Sequence, residues 1–373
     1  MKATCGLWSG CTVPHIWFDV LTPKHVLFCH ALAPYFEKAA YEVSYTTREY
    51  PEVQGQLALL GIKAAVVGRH GGADRFEKLV ASAERVVALA HQAKKLQPDI
   101  GFAFASPESA RVAYGLGIPY FTANDSPHSR FVAQLTIPFA EALFTSWFLT
   151  PAWQKLNVPL EKIVTYRALD PVAWLRGFMP DRKTIAALGL DPETDYVVVR
   201  PEEAEASYLS DLTNVENPVI TPVIQKILDV FPDLPVVALC RYEQQRKALR
   251  SHFRGRIILP SGVVDAPSLI ASATLLVGAG GTMNQEACLL GVPVISCYPG
   301  PELEVEKFLV KEKLLYRIPE PIPAAEKAVD ILQNRQKYQT AHLQRASRVL
   351  TGMENPAEVI SSWILKRRGH TRR

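Results

Sequence analysis

The residues best suited to chemistry lie around position 280, where a cluster of glycines follows an apolar run and precedes a predicted helix. Gly278, Gly280 and Gly281 allow positive φ angles and carry no Cβ that would keep a ligand away. The predicted helix begins near Thr282 and opens with unpaired N–H groups at the positive end of its dipole. These features together predict an anion site, most naturally one for phosphate.

Glu286 lies inside the same predicted helix, close to the glycine turn. Because a carboxylate repels phosphate, we expect Glu286 to accept two hydrogen bonds from a neighbouring diol, as ribose would offer. A phosphate turn, a diol acceptor and a strand–helix–strand frame predict a nucleoside diphosphate site. The alternative is an ordinary tight turn followed by a helix-favouring glutamate, since glycine motifs alone are weak evidence.

Two further residues are candidates for the same site. Arg200 follows a predicted strand and could bind a phosphate, whereas the alternative is a pair with Glu202 or Glu203. Asp265 most simply caps a predicted short helix at 266–271. The backbone just before Asp265 would then be free to read the edge of a nucleotide base.

His25 is the first candidate for catalysis. Thr22 and Pro23 predict a helix start that places His25 in the first turn, at the carboxyl end of a predicted strand at 15–20. Open α/β sheets bind their ligands at this edge. A helix N-terminus lowers the pKa of a histidine and keeps the ring neutral, able to act as a base or a donor. A surface histidine in a first turn fits the position equally well.

Other polar residues follow predicted strands or occupy glycine-rich loops in the same half of the chain. Asp125 is a second candidate base, although it could instead cap the helix after Pro127. The residues expected to contact a substrate or acceptor are Asp19, Thr22, Lys24, Arg48, Arg69, His70, Asn124 and His128. For Asp19 the competing interpretation is a turn residue or a partner of His25, and for the pair at 69–70 it is a solvated turn.

Strands and helices alternate along both halves of the chain. Seven strands are predicted between residues 15 and 166, and five more between 195 and 296, including one at 256–259. Helices near 323–349 and 354–367 are predicted to close the chain. This alternation requires parallel sheets with right-handed crossovers and helices on both faces.

The length of 373 residues favours two domains. The predicted fold class is α/β, with two Rossmann-like, doubly wound domains whose parallel sheets face each other across a cleft. We place the first domain at 14–180, the nucleotide-binding domain at 190–350, and a C-terminal helix with a basic tail at 351–373. Residues 1–13 show no periodicity and are expected to form a disordered leader, or to be an upstream start ahead of the first domain.

Charge and cysteine content limit the classes of function. Five of the 41 lysines and arginines lie in the last eight residues, so the rest of the chain nearly balances its 37 acidic residues. This balance argues against a nucleic-acid partner. The basic tail is most simply a mobile, solvated end, with weak contact to an anionic membrane surface as the alternative. The six cysteines form no metal-binding pattern, and no apolar run suits a signal peptide or membrane span, so we expect a cytoplasmic protein without a bound metal.

Several motifs together resemble the GT-B superfamily, which includes nucleotide-sugar glycosyltransferases and the non-hydrolysing UDP-N-acetylglucosamine 2-epimerases. The likeness is greatest to a microbial family called a domain of unknown function, grouped near the epimerases. Its hallmarks match here as Asp19-x-x-Thr22-Pro23-Lys24-His25, Thr47-Arg48-Glu49-Tyr50, Gly68-Arg69-His70-Gly71-Gly72, Asn124-Asp125-Ser126-Pro127-His128 and Gly278-Ala279-Gly280-Gly281-Thr282-Met283. The resemblance spans roughly residues 14–365 and implies a GT-B-like fold.

The resemblance also implies roles for individual residues. In the superfamily, the carboxylate that matches Glu286 holds the ribose hydroxyls, and the backbone that matches residues 280–282 holds the diphosphate. The segment around His25 is similar to the first loop of the lipid-II-forming N-acetylglucosaminyltransferase, in which a histidine faces the acceptor and the sugar donor. In this chain Thr22-Pro23-Lys24 replaces the glycines of that loop.

The epimerase pattern differs more from this sequence. Ala105-Ser106-Pro107 replaces its Gly-Asp-Thr, Arg200-Pro201-Glu202-Glu203 replaces its His-Arg-Arg-Glu, and Asn124-Asp125-Ser126 replaces its Glu-Ala-Gly. The resemblance therefore favours a metal-independent glycosyltransferase that moves a sugar from a UDP-linked donor to an unknown acceptor, lipid-linked or glycan. The glycine turn would stabilise the leaving diphosphate, and His25 or Asp125 would act as general base. An epimerase and a non-catalytic nucleotide-sugar-binding protein are the alternatives; the nucleotide sugar is a substrate, and no cofactor is expected.

Overall fold

The computed structural model describes residues 13–72, 74–191, 193–203 and 214–371. The predicted leader lies outside this part of the chain, apart from Val13. Within it, twelve strands form two parallel sheets. The strands are β1 (His15–Asp19), β2 (Glu42–Glu49), β3 (Ala65–Arg69), β4 (Ile100–Phe104), β5 (Tyr120–Ala123), β6 (Ala142–Ser146), β7 (Ile163–Tyr166), β8 (Val197–Arg200), β9 (Val236–Ala238), β10 (Leu275–Gly278), β11 (Val294–Ser296) and β12 (Tyr316–Arg317).

Helices connect the strands and cover both sheets. They are α1 (Pro23–Lys38), α2 (Pro51–Leu59), α3 (Arg75–Leu96), α4 (Pro107–Leu116), α5 (Arg130–Thr136), α6 (Thr150–Lys155), α7 (Val172–Leu175), α8 (Arg182–Ala186), α9 (Thr221–Val230), α10 (Glu243–Phe253), α11 (Ala266–Ala271), α12 (Thr282–Leu289), α13 (Glu304–Lys311), α14 (Pro321–Gln333), α15 (Arg335–Thr351) and α16 (Pro356–Thr371). Several begin with proline, whose fixed φ suits a first helical position. In the described part of the chain, none combines the length and apolarity that a bilayer crossing requires.

The first sheet has the order β3-β2-β1-β4-β5-β6-β7. The chain winds outwards from β1 in one direction and then returns to place β4 on its other side. Doubly wound sheets bind ligands at such a switch point, outside the carboxyl ends of the strands. β1 and β4 are buried along their whole length, because helices cover both faces.

The second sheet has the order β12-β11-β10-β8-β9. Its switch point lies between β8 and β10, and the register pairs Gly278 with Arg200 at the carboxyl end. The glycine turn and Arg200 are therefore neighbours. The two sheets confirm the predicted α/β class with two doubly wound parallel arrangements. The predicted boundaries at 180–190 and 350 stay predictions.

The second half differs from expectation at two elements. The predicted strand at 256–259 is wrong: Ile258 forms only an isolated bridge with Val237, and Pro260, which lacks an N–H, follows it closely. The strand β12 lies at the edge of the sheet opposite β9. It has only two residues, too few to show the alternating hydrophobic pattern by which a strand is predicted. The predicted helix at 323–349 is two helices separated at Asn334.

The basic end of the chain was expected to be mobile and solvated, and this is wrong for Arg367 and Arg368, which belong to α16 and pair with Glu141. Helix α16 packs against α1 of the first domain. Arg368 Nη2 lies 2.5 Å from Glu141 Oε1, and Arg367 Nε lies 3.6 Å from Glu141 Oε2. Two of the five basic residues thus pair within the fold, while contact with a membrane surface stays a prediction.

Candidate functional site

A cavity of about 640 Å³ lies between the two sheets, where their carboxyl ends meet. The loops after β1 and β5 form one wall, and the turns after β8 and β10 form the other. The predicted residues in its lining are Thr22, Lys24, His25, Asp125, His128, Arg200, Gly280, Gly281, Thr282 and Glu286. The predicted cleft is therefore present, and it brings together residues from both halves of the sequence.

The glycine turn has the backbone that its sequence predicts at two of three positions. Gly280 and Gly281 have φ angles of 94° and 90°, which other residues rarely adopt. A Cβ at Gly280 would also lie 2.9 Å from the ring of Tyr298. Gly278 does not have a positive φ; a Cβ there would lie 2.1 Å from Asn284 Oδ1, so the Asn284 side chain would have to move.

Glu286 lies on α12, and its side chain is nearly inaccessible to solvent at 3% exposure. Its Oε1 accepts a hydrogen bond of 2.9 Å from the indole Nε1 of Trp174. Burial raises the pKa of Glu286 to about 7, against the opposing effect of this hydrogen bond. The carboxylate is therefore at the cavity, as predicted, and it titrates near neutral pH.

The structure places Arg200 and Asp265 differently with respect to the cavity. Arg200 lines the cavity and donates from Nη1 to the carbonyl of Leu239 over 2.7 Å. The two alternative carboxylate partners have other partners, because Glu202 accepts from the Val219 N–H and Glu203 pairs with Arg241. Asp265 lies outside the cavity lining and caps α11. The residues before it, at 262–264, line the cavity.

His25 lies in the first turn of α1, where the Thr22 hydroxyl accepts from its N–H. Nδ1 accepts a hydrogen bond from the Leu21 N–H over 3.2 Å. Burial lowers the pKa of His25 to about 3, and the nearby charges of Lys24 and Arg48 lower it further in the same direction. The ring is therefore neutral at pH 7, and with Nδ1 accepting, its proton is on Nε2. This arrangement favours a hydrogen-bond donor over a general base.

Lys24 lies between two carboxylates of the first domain. Its Nζ is 2.6 Å from Asp125 Oδ2 and 2.7 Å from Asp170 Oδ2. Burial alone would raise the pKa of Asp125, but Lys24 outweighs it and holds the pKa at about 2. Asp125 is therefore a firmly ionised partner of Lys24 and a poor base. Asp170 was missed, although it follows β7 at the edge where the other candidates were sought.

Asp19 was expected to contact the acceptor, and the structure contradicts this. It is fully buried and accepts hydrogen bonds from Arg85, Thr46 and Ser106. Burial alone would raise its pKa, but the charge of Arg85 and these hydrogen bonds together lower it. Asp19 organises the carboxyl end of β1 from inside the domain and does not line the cavity.

Four other predicted contact residues lie outside the cavity lining. Arg69 is on the surface, paired with Glu77 and Glu84 of α3. Asn124 is buried, and its Oδ1 accepts from the Ser126 N–H over 2.8 Å, so it shapes the loop that presents Asp125. The remaining two, Arg48 and His70, surround the ring of Tyr50.

Two contacts between the domains had no signal in the sequence. Arg241 Nε donates to the Tyr50 hydroxyl over 2.9 Å, which gives the motif around Tyr50 a role in joining the domains. Gln285 Nε2 donates to Asp125 Oδ2 over 3.3 Å and links α12 to the opposite wall. Both pairs are more than a hundred residues apart in the chain, so spacing could not reveal them.

The sequence model of a protein family described as "Protein of unknown function (DUF354)" matches residues 14–357. The chain belongs to this family. An uncharacterized protein of Methanocaldococcus jannaschii is 28% identical over 307 residues, which is 81% of this chain and 87% of that protein. The family membership expected from the motifs of the sequence is confirmed.

Solved structures similar to this DUF354 protein have the GT-B fold. MnaA of S. aureus, solved with UDP, has a TM-score of 0.73 at 14% identity and covers 94% of this chain and 95% of its own. The UDP-GlcNAc 2-epimerase of Neisseria meningitidis, bound to UDP-GlcNAc, gives 0.70 at 12% identity, with coverages of 95% and 99%. The spinosyn forosaminyltransferase SpnP gives 0.59 at 15% identity, with coverages of 94% and 98%. At these identities the likeness establishes the fold, and the predicted GT-B-like architecture is confirmed.

Proposed function

We propose that this protein binds a UDP-linked sugar in the cavity between its domains and transfers the sugar to an acceptor hydroxyl. The observation that carries the proposal is the composition of that one cavity. The Gly280–Gly281 turn and Glu286 form one wall, and His25, Lys24 and His128 form the other. Proteins of the same fold have been solved with UDP or UDP-GlcNAc, which supports a ligand of this class.

The second domain supplies the groups for the nucleotide. The backbone N–H groups at 280–282 and the dipole of α12 suit a diphosphate, and Arg200 adds a positive charge at the neighbouring strand end. Glu286 would accept the ribose hydroxyls, and the backbone at 262–264 would contact the base. The fixed amides stabilise the charge that develops on the leaving diphosphate, so the transfer requires no metal ion.

The first domain supplies the groups for the reacting sugar and acceptor. His25 would donate its Nε2 proton in a hydrogen bond to a sugar or leaving-group oxygen, since Nδ1 already accepts from the backbone. Asp125 holds Lys24 and Gln285 in place. We assign proton removal from the acceptor to His128, an exposed residue at the rim of the cavity lining. A neutral imidazole can accept that proton as the sugar bond forms.

Calorimetry with UDP tests the binding half of the proposal. Glu286→Ala should weaken UDP binding by about 10- to 100-fold, because hydrogen bonds to a charged group are lost. The matched control is Glu52→Ala, which removes a carboxylate from the opposite wall of the same cavity and should change UDP affinity less than about twofold. Equal affinity for UDP in the wild type and in Glu286→Ala rejects the assigned nucleotide site.

Turnover assays test the chemical half. Release of UDP from UDP-GlcNAc or UDP-glucose should depend on an added hydroxyl acceptor, and His128→Asn should reduce turnover while leaving UDP affinity unchanged. Conversion of UDP-GlcNAc alone into its C2 epimer, seen by NMR, would establish the epimerase instead. UDP binding without turnover on any acceptor would indicate a binding protein.

A further inference from the structure

A tryptophan from the segment that joins the two sheets contacts the carboxylate assigned to ribose. Trp174 lies in the short helix α7, which follows β7 and precedes the second sheet. Its indole Nε1 donates to Glu286 Oε1 over 2.9 Å, and the two residues are 112 positions apart. Trp174 is itself outside the cavity lining, so it acts on a ligand only through Glu286.

The indole ring is held by the first domain. Its centroid lies 6.4 Å from that of Phe28, and the ring planes meet at 76°, an edge-to-face contact. Phe28 is fully buried in α1, the helix that also carries Lys24 and His25. The donor is therefore fixed by packing in the first domain, whereas its acceptor belongs to α12 of the second.

We propose that Trp174 is a positioning residue for nucleotide binding, whose indole N–H orients the Glu286 carboxylate and ties that orientation to the first domain. This inference rests on the proposed function. Because the indole N–H of Trp174 donates to Oε1 of Glu286, Oε2 is the oxygen that accepts from the ribose hydroxyls. A carboxylate that is already oriented loses less freedom when the nucleotide binds, and this favours affinity.

The same hydrogen bond favours the ionised carboxylate, which is the form that accepts hydrogen bonds from a diol. Burial raises the pKa of Glu286, and Trp174 opposes this rise. Trp174→Phe keeps an aromatic ring against Phe28 and removes only the donor. Loss of a hydrogen bond to a charged group should raise the pKa by at least about one unit.

UDP affinity measured by calorimetry between pH 6 and pH 9 tests the inference. For a rise of one unit from a pKa of about 7, Trp174→Phe should bind UDP about tenfold more weakly than wild type at pH 6, about fivefold at pH 7, and within about twofold at pH 9. In a Glu286→Gln background the same substitution should have an effect below about twofold at every pH. Phe28→Leu, which loosens the packing and keeps the donor, should weaken UDP binding at pH 6 less than Trp174→Phe does.

UDP affinity of Trp174→Phe equal to that of wild type at both pH 6 and pH 9 would overturn the positioning role, while wild-type UDP binding would leave the proposed function standing. If the wild type binds no UDP at any pH, the proposed function fails and this inference fails with it as a statement about nucleotides. The hydrogen bond between Trp174 and Glu286 is then tested by thermal unfolding of the unliganded protein. There Trp174→Phe should lower Tm more at pH 9 than at pH 6. Equal shifts in Tm would reject control of the carboxylate by Trp174.

Discussion

The carboxylate of Asp19 and the guanidinium of Arg85 pair in the interior of the first domain, with Nη2 2.6 Å from Oδ1 and Nη1 3.1 Å from Oδ2. Both side chains are 1% exposed. Asp19 ends the strand that leads to His25, so its position at a sheet edge suggested contact with a substrate. Its partners show instead that it stabilises the frame behind the cavity.

Breaking this pair should destabilise the protein without acting on the ligand. Asp19→Asn removes the carboxylate that pairs most closely with the buried Arg85 and leaves it only Glu108, 3.6 Å from Nη1. We expect a loss of about 3 kcal/mol in the free energy of unfolding, measured in urea. The control Glu77→Gln, which breaks the exposed pair with Arg69, should cost less than about 1 kcal/mol. A folded Asp19→Asn protein should keep its UDP affinity. Selective loss of that affinity would show that Asp19 does act on the ligand.

Gly281→Ala should separate backbone strain from ligand binding when it is compared with Gly117→Ala. Both glycines have positive φ, 90° and 69°, and a Cβ at either would meet nothing within 4 Å. Each alanine should therefore lower the free energy of unfolding by about 1–3 kcal/mol. Only Gly281→Ala should also weaken UDP binding, as measured by calorimetry. Equal UDP affinities in the two variants would show that the glycine turn does not bind the phosphates.

Lys24→Met should make stability strongly dependent on pH. Without the ammonium group, Asp125 and Asp170 are buried with no counter-charge, and we expect a loss of about 3–5 kcal/mol at pH 7. Their pKa values then lie above the unfolded-state value of about 3.9, so stability present at low pH is lost as the pH rises through the raised values. Tm should therefore recover towards wild type at pH 5.

The double variant Lys24→Met/Asp125→Asn is the control for that prediction. It removes one of the two uncompensated charges and should be more stable than Lys24→Met at pH 7. A difference from wild type that stays constant between pH 5 and pH 8 would mean that the lost packing of the lysine chain, and not its charge, destabilises the variant.

Glu286→Gln should stabilise the unliganded protein at alkaline pH. The pKa of Glu286 is raised from 4.5 to about 7, so the folded state holds a proton that the unfolded state releases. Stability from this source is complete below pH 4.5 and is lost as the pH rises through 7, by about 3 kcal/mol in all. Glu286→Gln should therefore have a higher Tm than wild type at pH 8 and nearly the same Tm at pH 5. A Tm difference of the same size at both values would show that Glu286 does not titrate in this range.

Local signals in the sequence were sufficient for the elements that carry the site. Thr22 before α1 and Pro23 at its first position placed His25 in a first turn, and the glycines after an apolar run placed a helix N-terminus at Thr282. Short or compound elements were harder, because β12 has two residues and α14 and α15 are separated by a single residue. The predicted strand at 256–259 is wrong. An apolar run pairs along its length only if a strand lies beside it in the fold, and the local sequence does not show this.

The sequence alone determined the two parallel α/β arrangements, the glycine turn and the edge of each sheet where ligands would lie, since periodicity, caps and glycine positions act over a few residues. Only the tertiary structure decided which polar groups pair. Asp19 pairs with Arg85, which is 66 positions away in the chain, and Glu286 accepts from Trp174, which is 112 positions away. Such pairs, and the pKa shifts that follow from their burial, depend on which strands lie side by side and on how deeply each group is enclosed, and neither is written in local spacing.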